Sequence, residues 1–345
     1  MPALAARPAP APILAPDSFR EAAAALKADH AGALDAVGEV IVEHLDSSVP
    51  LIPEVARHLI RAGGKRLRPL VTLAAAEACG YEGAGDRLLA AAVELIHAAT
   101  LLHDDVVDDS ALRRGLRTAN IVFGNKESVL VGDFLFARAF ELMVKTGSLR
   151  VLAVLSAASC TISEGEVLQL ETQGNLATTD AMYVEVIRAK TAALFGAAAQ
   201  SAAALSGADP AAERALTAYG IDFGIAYQIV DDALDYAGEA EGLGKAAGDD
   251  FREGKVTLPV ILAAGRPRSP DERAFWERTI QRGERREGDF ETARGLIARD
   301  GLVEASLDRA RAYADEAAGA LGALPRGPAV QALERLALAS VARGS

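Results

Sequence analysis

The sequence predicts an all-α protein, a single helical domain with a bundle-like core, and three observations support this. Alanine-rich apolar stretches recur through the 345 residues, of which 50% are hydrophobic and only 5% aromatic, and such stretches favour helix over strand. Helix start and stop signals recur between short runs of Gly, Pro and charge. No segment shows the alternation of a strand, and no repeat of fixed period is present.

The N-terminal segment is rich in Pro and Ala, and we expect residues 1–17 to form a disordered tail. It is not read as a signal peptide, because prolines interrupt every apolar run. Ordered structure is predicted to begin at Ser18, where Ser18 and Glu21 form a capping box before an Ala/Leu-periodic helix that runs to about Leu45. The segment Ser47–Pro50 ends that helix, and residues 18–345 are expected to form one domain.

The same signals place the remaining helices. Pro69 suits the first turn of a helix and Gly80 its left-handed cap, while Asp180 can cap a helix that carries Lys190 and Thr191. The predicted helices after the first are Glu54–Arg61, a helix from Pro69 to Gly80, Asp86–Asp109, Gly132–Lys145, Leu149–Gln173, the helix after Asp180, Ala212–Asp235, Thr257–Ala264, Asp271–Arg282, Asp289–Arg299 and Val303–Leu321.

The charge balance and the cysteines restrict the function classes. Lys plus Arg number 36 and Asp plus Glu 48, which gives a net charge of −12 and disfavours binding to nucleic acid by bulk charge. The longest apolar run, around Val151 to Ile162, is shorter than the ~20 residues of a membrane span. Cys79 and Cys160 cannot supply a disulfide framework. We therefore expect a soluble, cytoplasmic protein without a nucleic-acid partner.

One acidic pattern occurs twice, as Asp104-Asp105-Val106-Val107-Asp108 and Asp231-Asp232-Ala233-Leu234-Asp235. Each copy follows an apolar stretch that should be a buried helix. Carboxylates at positions i and i+4 lie about 40° apart on a helix, so both reach one ligand. Burying several acids is costly unless a cation offsets them, and Mg²⁺ combines one or two carboxylates with water and substrate phosphate. The pattern predicts magnesium–diphosphate chemistry, and ordinary surface acids are the alternative.

Two basic clusters flank the first acidic motif. One extends from Arg57 to Arg68 around Gly63-Gly64, a pair that lets the backbone approach a ligand closely. The other contains Arg113, Arg114 and Arg117, and arginine binds phosphate oxygens bidentately. Together with the acids, the clusters predict two anionic substrates, one held through metal and the other held directly. A solvated basic turn is the alternative for either cluster alone.

Taken in order along the chain, these residues resemble the trans-isoprenyl (polyprenyl) diphosphate synthases, and above all the long-chain octaprenyl and decaprenyl synthases. The resemblance covers nearly the whole chain from about residue 20 and rests on six segments: Gly63–Pro69, Leu101–Asp108 with Arg113–Gly115, Lys190–Ala192, Gly224–Asp235, Gly244-Lys245 and Gly254–Pro259. It implies an isoprenoid-synthase-type helical bundle with a central apolar cavity, and a homodimer.

The resemblance also implies condensation of isopentenyl diphosphate onto an allylic diphosphate such as farnesyl diphosphate, with Mg²⁺ or alternatively Mn²⁺. The implied catalytic acids are Asp104, Asp105, Asp108, Asp231, Asp232 and Asp235, and the implied metal ligands are Asp104, Asp108, Asp231 and Asp235. Isopentenyl diphosphate would contact Lys65, Arg68, His97 and Arg114. The allylic diphosphate would contact Arg113, Lys190, Thr191, Gln228, Lys245 and Lys255.

Product length in this family depends on the apolar cavity below the first acidic motif. Bulky residues about five positions before the first Asp accompany short products, whereas Ala99 is small. The resemblance therefore implies an octaprenyl to decaprenyl product for a quinone side chain, with chain-length residues Ala98, Ala99, Thr100 and Phe136.

Three alternatives stay open at the level of sequence. A short-chain synthase would release farnesyl or geranylgeranyl diphosphate. A class I terpene cyclase would need neither the second acidic motif nor the isopentenyl site. A subunit of a heteromeric synthase usually lacks acids in one motif, whereas both motifs are complete here. Because no anchor is visible, we expect only transient contact with membrane during product release.

Overall fold

The computed structural model describes residues 18–61, 63–237 and 248–344, which are almost entirely helical. The elements are α1 (Phe19–Asp29), α2 (Ala31–His44), α3 (Leu51–Arg61), α4 (Leu67–Ala78), α5 (Gly85–Val107), β1 (Leu112–Arg113), β2 (Leu116–Arg117), α6 (Ala119–Phe123), α7 (Asn125–Lys145), α8 (Leu149–Thr172), α9 (Asp180–Ile187), α10 (Ala193–Leu205), α11 (Pro210–Ala237), α12 (Asp249–Glu253), α13 (Leu258–Ala264), α14 (Pro270–Trp276), α15 (Asp289–Arg299), α16 (Leu302–Ala320) and α17 (Pro328–Ala339). Short π-helical segments, Arg188–Ala192 and Glu277–Gln281, follow α9 and α14. The all-α prediction is confirmed, and the predicted tail at 1–17 lies outside the described residues.

Helix α5 is the central element of the bundle. It packs along α7 and also contacts α2, α4 and α10. Residues 89–93, 95 and 96 are buried, and the alanines among them allow neighbouring helices to approach closely. The last turn of α5, which carries Asp104 and is capped by Asp108, is therefore continuous with a segment anchored in the core.

The N-terminal helix is interrupted, so the single helix predicted from Ser18 to Leu45 is wrong. The capping box is present, because Ser18 and Glu21 exchange hydrogen bonds at the start of α1. Helix α1 then ends at His30, whose backbone leaves the helical region (φ −110°, ψ 17°). The His30 ring bonds the Leu26 carbonyl at 3.0 Å, which satisfies a carbonyl group at the helix end.

A small antiparallel hairpin, β1–β2, follows α5, where the sequence predicted no strand. Its turn residues Arg114 and Gly115 have φ values of 53° and 78°, as a type I′ turn requires. Strands of two residues are too short to give an alternating pattern. Helix α7 begins at Asn125 instead of Gly132, and α6, α12 and α17 were not predicted. Thr179, not Asp180, caps α9, and Lys190 and Thr191 lie in the π-helical segment that follows it.

Two glycines of α11 permit a close approach to α10 and the preceding π-helical segment. A Cβ at Gly220 would lie 2.7 Å from the Gly196 Cα, and a Cβ at Gly224 would lie 2.6 Å from the Ala192 Cα. Residues four apart share one helix face, so Gln228 lies on this same face. The glycines thereby bring Gln228 against Thr191.

Helix α8 is long and apolar enough to cross a membrane by length and composition, although only 33% of its most apolar window is buried. Its inner face packs against α10 and contributes Ile162 and Glu166 to the central cavity. We therefore interpret α8 as a bundle helix with an apolar outer face, which the described part of the chain leaves exposed.

Candidate active site

A cavity of about 590 Å³ lies within the bundle, and its lining divides by chemistry. The charged part combines acids and bases: Lys65, Arg66, Arg68, Glu94, His97, Asp104, Asp108, Arg113, Arg114, Glu166, Lys190, Asp231, Asp232, Asp250 and Lys255. The apolar part includes Ile41, Leu45, Ala56, Leu59, Ile60, Leu95, Ala98, Leu101, Leu135, Ile162 and Leu194. A ligand with a charged head and an apolar tail fits this division.

The first acidic motif contributes two residues to the cavity, Asp104 in the last turn of α5 and Asp108 at its C-terminal cap. Burial raises the pKa of Asp104; Lys190 opposes this shift, and the neighbouring Asp108 adds to it. The Asp108 carboxylate accepts a hydrogen bond from Lys255 Nζ at 3.1 Å. Negative charge is thus concentrated at the end of α5.

Asp105, predicted to be catalytic, is not among the residues that line the cavity. Its side chain is 1% exposed, and its Oδ1 accepts hydrogen bonds from Arg113 Nε at 2.9 Å and Nη2 at 2.7 Å. Asn120 binds the Asp105 carbonyl at 3.0 Å. The physical role of Asp105 is therefore to fix Arg113 at the cavity wall.

The second acidic motif contributes Asp231 and Asp232 to the cavity, but Asp235 lies outside the lining. The Asp235 carboxylate accepts backbone hydrogen bonds from Gly248 at 2.9 Å and Asp250 at 3.2 Å. Burial and the nearby Asp250 raise the pKa of Asp235 to about 7. Through these contacts Asp235 holds the start of α12, and its predicted role as a metal ligand stays a prediction.

The acid-rich wall suits a hard divalent cation. Lys255 lies between Asp108 and Glu253; burial would lower its pKa, but Asp250, Asp108 and Glu253 together raise it. The described residues contain no group of three or more His, Cys, Asp or Glu side chains that could hold a metal ion without other ligands. Mg²⁺ usually takes only one or two carboxylates and completes its shell with water and phosphate, so this donor set fits it.

The predicted isopentenyl residues Lys65, Arg68, His97 and Arg114 all line the cavity. Arg68 Nη1 donates to His97 Nε2 at 3.1 Å. A Cβ at Gly64 would lie 2.8 Å from Arg114 Nη1, so the absent side chain at Gly64 makes room for the Arg114 guanidinium. The structure thereby brings α4, α5 and the hairpin turn to one basic wall.

His97 is held neutral at this wall. Burial, and then the positive charges of Arg68, Arg113 and Arg114, lower its pKa well below the usual value. The neutral ring accepts the Arg68 hydrogen bond, so His97 orients the guanidinium and adds no charge of its own.

The lowered pKa of His97 predicts a pH effect on stability. Below pH ~6.5 the unfolded chain binds a proton at His97 that the native state does not, so the native state loses up to about 1.4 kcal/mol per pH unit as pH falls. In His97→Gln this contribution disappears, while the amide oxygen still accepts from Arg68. Urea unfolding of both proteins at pH 7, 6 and 5 measures this effect. The free energy of unfolding of the wild type, relative to that of His97→Gln, should fall as the pH falls. An unchanged difference would mean that His97 is protonated in the native state.

Aromatic rings support the basic wall. Lys65 Nζ lies 5.4 Å from the Phe19 ring centre and 5.8 Å from that of Tyr227, and the Arg68 guanidinium lies 4.4 Å from the Phe195 ring. Cations are attracted to ring faces at these distances. The first described helix therefore takes part in placing Lys65.

The predicted allylic-diphosphate residues Arg113, Lys190, Thr191, Gln228 and Lys255 also line the cavity, on the side of the acids. Lys190 Nζ lies 2.7 Å from Glu166 Oε2 on α8. The remaining predicted residue, Lys245, lies outside the residues that the structure describes.

The sequence was compared with models of known protein families. Residues 49–297 match the model described as Polyprenyl synthetase. The chain belongs to the polyprenyl synthetase family. The predicted family, the all-α isoprenoid synthase fold and the prenyltransferase class are thereby confirmed.

Three relatives of this polyprenyl synthetase show how far the similarity extends. Octaprenyl diphosphate synthase of Escherichia coli is 45% identical over 307 residues, 89% of this chain and 94% of that one. Polyprenyl synthase of Caulobacter crescentus, solved with calcium and isoprenyl diphosphate, is 50% identical with a TM-score of 0.91, covering 97% and 100% of the two chains. A decaprenyl diphosphate synthase structure from Rhodobacter capsulatus is 51% identical with a TM-score of 0.89, covering 94% and 99%.

Of the four residues predicted to control product length, two line the cavity and two do not. Ala98 and Thr100 line the cavity, but Ala99 and Phe136 do not. Ala99 is fully buried in the core of the bundle. The chain-length roles of Ala99 and Phe136 stay predictions, and Leu135, next to Phe136, lies in the lining.

Several residues of the synthetase site were missed by the sequence reasoning. Glu94 on α5 pairs with Arg66 at 2.9 Å, and Phe19 lies outside every motif. Glu166 and Gln169 both line the cavity; because polar residues three apart share one face of a helix, their spacing was a signal that could have been used. Tyr183 gave no such signal, because a single tyrosine on a short helix is ordinary core.

Proposed function

We propose that this protein is a long-chain all-trans polyprenyl diphosphate synthase. It adds isopentenyl diphosphate units to an allylic diphosphate such as farnesyl diphosphate and releases octaprenyl to decaprenyl diphosphate for a quinone side chain. The observation that carries the proposal is one cavity that combines an acid-rich wall, a separate basic wall and an apolar remainder. The octaprenyl and decaprenyl synthases among its relatives support the long product.

We assign Mg²⁺ as the physiological ion, with Mn²⁺ as the alternative, and Asp104, Asp108 and Asp231 as the side chains that would hold it. These three line the cavity, whereas Asp235 does not. When bound, the ion neutralises charge on the diphosphate leaving group.

The side chains around this ion then promote ionisation of the allylic substrate. Arg113, Lys190 and Lys255 bind its diphosphate and stabilise the negative charge that grows as the C1–oxygen bond breaks. The electron pair leaves with the diphosphate, and an allylic cation remains in the cavity. The apolar walls exclude water, which would otherwise add to the cation.

The basic wall positions the second substrate. Lys65, Arg68 and Arg114 hold the diphosphate of isopentenyl diphosphate so that its double bond faces C1 of the cation, and this orientation lowers the entropic barrier to attack. The double bond supplies the electron pair of the new carbon–carbon bond. Loss of one proton to the released diphosphate then restores a trans double bond and yields a chain longer by one unit.

An assay with labelled isopentenyl diphosphate, farnesyl diphosphate and Mg²⁺ tests this function. The expected result is a ladder of extracted products that ends at octaprenyl to decaprenyl chains. Products that end at farnesyl or geranylgeranyl length would establish the short-chain alternative. A cyclic product formed without isopentenyl diphosphate would indicate a terpene cyclase, and no incorporation by the folded protein would indicate a subunit that needs a partner.

We also propose a homodimer, formed through the outer faces of α7 and α8. Large apolar side chains are exposed on both helices: Leu130, Phe140, Val144, Leu149, Val167 and Leu170. Large apolar side chains exposed on two neighbouring helices are typical of a protein interface. A second copy with the same two faces would cover it symmetrically.

Introducing charge into this face should dissociate the dimer. Leu130 is 67% exposed in the single chain, so Leu130→Asp has room in the monomer but buries an unpaired charge in the dimer. Sedimentation velocity should show a shift from dimer to monomer for this variant. Val42→Asp on α2, at a position 66% exposed, is the matched control and should stay dimeric. Equal behaviour of the two variants would contradict the proposed interface.

A cytoplasmic location and only transient membrane contact complete the proposal. Cys79 and Cys160 are free thiols, which suits a reducing compartment. Fractionation of cells that express the tagged protein tests the location, and stable recovery with membranes would contradict it.

A further inference from the structure

Tyr183 is a buried residue of the cavity to which the proposed mechanism assigns no role. It lies on α9, its side chain is 3% exposed, and it lines the cavity. Its hydroxyl donates to Asp232 Oδ2 at 2.7 Å. Burial and the adjacent Asp232 raise the pKa of Tyr183 well above its ordinary value, so the phenol keeps its proton and acts as a donor.

The other Asp232 oxygen continues a chain of hydrogen bonds. Asp232 Oδ1 accepts from Gln228 Nε2 at 2.7 Å, and Gln228 Oε1 accepts from Thr191 Oγ1 at 2.9 Å. All three residues line the cavity together with Tyr183. Both carboxylate oxygens of Asp232 are thus engaged by donors from two helices, α9 and α11.

In the structure this chain of hydrogen bonds holds the Gln228 amide in one orientation. The NH₂ end of Gln228 donates to Asp232 Oδ1 and therefore faces the carboxyl group of Asp232. Its carbonyl end must then face Thr191, whose hydroxyl proton is used in that contact. The Thr191 hydroxyl and the Gln228 carbonyl oxygen are therefore held in fixed directions. Without these hydrogen bonds, the Gln228 amide could rotate.

We propose that Tyr183 and Asp232 are positioning residues, which act through Gln228 and Thr191 to hold that pair in one orientation against the allylic substrate. The inference rests on the proposed function and deepens it. It gives Asp232 and its neighbour Asp231 different roles: Asp231 would hold the ion, whereas Asp232 organises polar side chains. A positioned group accelerates the reaction without itself touching the reacting atoms.

The test is a double-mutant cycle on the full-length protein, with kcat, both substrate KM values and the Mg²⁺ half-saturation measured for each variant. Tyr183→Phe should lower kcat about tenfold, the effect of losing one hydrogen bond to a charged group. Both KM values and the Mg²⁺ half-saturation should stay within about twofold of wild type. In a Gln228→Ala background, Tyr183→Phe should lower kcat by less than about twofold, because the group it orients is gone.

Tyr219→Phe is the matched control. Tyr219 is also fully buried, and its hydroxyl donates to the Leu333 carbonyl at 2.9 Å, but it does not line the cavity. It should lose similar stability in urea unfolding and keep the wild-type kcat. If Tyr183→Phe does not fold, Asp232→Asn in the same cycle replaces it, with the same dependence on Gln228.

The outcomes separate this inference from the proposed function. Additive losses in the cycle, a kcat of Tyr183→Phe equal to that of Tyr219→Phe, or a raised Mg²⁺ half-saturation would each overturn the positioning role while the wild type stays active. Failure of the wild type to incorporate isopentenyl diphosphate would instead overturn the proposed function, and the inference with it.

Discussion

Asp104→Asn should lower kcat on the order of 10³-fold, because the charge that develops on the departing diphosphate would lose a principal site of stabilisation. Asp104 is half-buried at the cavity wall beside Asp108, and the loss of solvent there raises the pKa of its carboxyl group. Asparagine keeps the shape but removes the charge that a divalent cation requires. The variant should also need more Mg²⁺ for half-maximal rate. Labelled isopentenyl diphosphate incorporation over a range of Mg²⁺ concentrations measures both effects.

Asp109→Asn is the matched control for this loss. Asp109 is exposed, does not line the cavity and has a φ of 49°, a backbone conformation that asparagine also tolerates. Its rate and Mg²⁺ requirement should match wild type. If the two variants behaved alike, or if Asp104→Asn stayed active, the acid-rich wall would not be the metal site.

Thr100→Phe should shorten the product by several isoprene units. Thr100 lines the cavity one turn before Asp104, where the apolar tail of the growing chain must pass. A phenyl ring there removes space that protein packing does not easily restore. Chromatography of extracted, dephosphorylated product measures the chain length, and the first addition to farnesyl diphosphate should still proceed.

Ala99→Phe is the control for Thr100→Phe. From the sequence alone, Ala99 would have been chosen as the position to test. Ala99 is fully buried in the core and does not line the cavity. Ala99→Phe should therefore overpack the bundle and cost about 1–3 kcal/mol of stability, while the product stays long in the fraction that folds. A full-length ladder from Thr100→Phe, or a shortened one from stable Ala99→Phe, would contradict the cavity geometry.

The structure decided several assignments that neither motif nor spacing could reach. Asp105 and Asp235 belong to the two acidic motifs, yet Asp105 holds Arg113 and Asp235 holds the backbone at Gly248 and Asp250. A motif records which residue types follow one another, but only the packing of neighbouring helices determines which carboxylate meets solvent, cation or guanidinium. The start of α1 shows the same limit, because Phe19 reaches Lys65 only through long-range packing.

The sequence by itself determined the helical class, the family and most of the charged residues that meet in the cavity. Alanine-rich helices follow from local propensity, and carboxylates four positions apart share a face wherever the helix lies. Tertiary structure alone decided that Ala99 faces the core and Thr100 the cavity, and that Tyr183 reaches Asp232 from another helix. The reason is physical: local periodicity fixes angles around one helix, whereas burial and hydrogen-bond partners depend on which helices pack together.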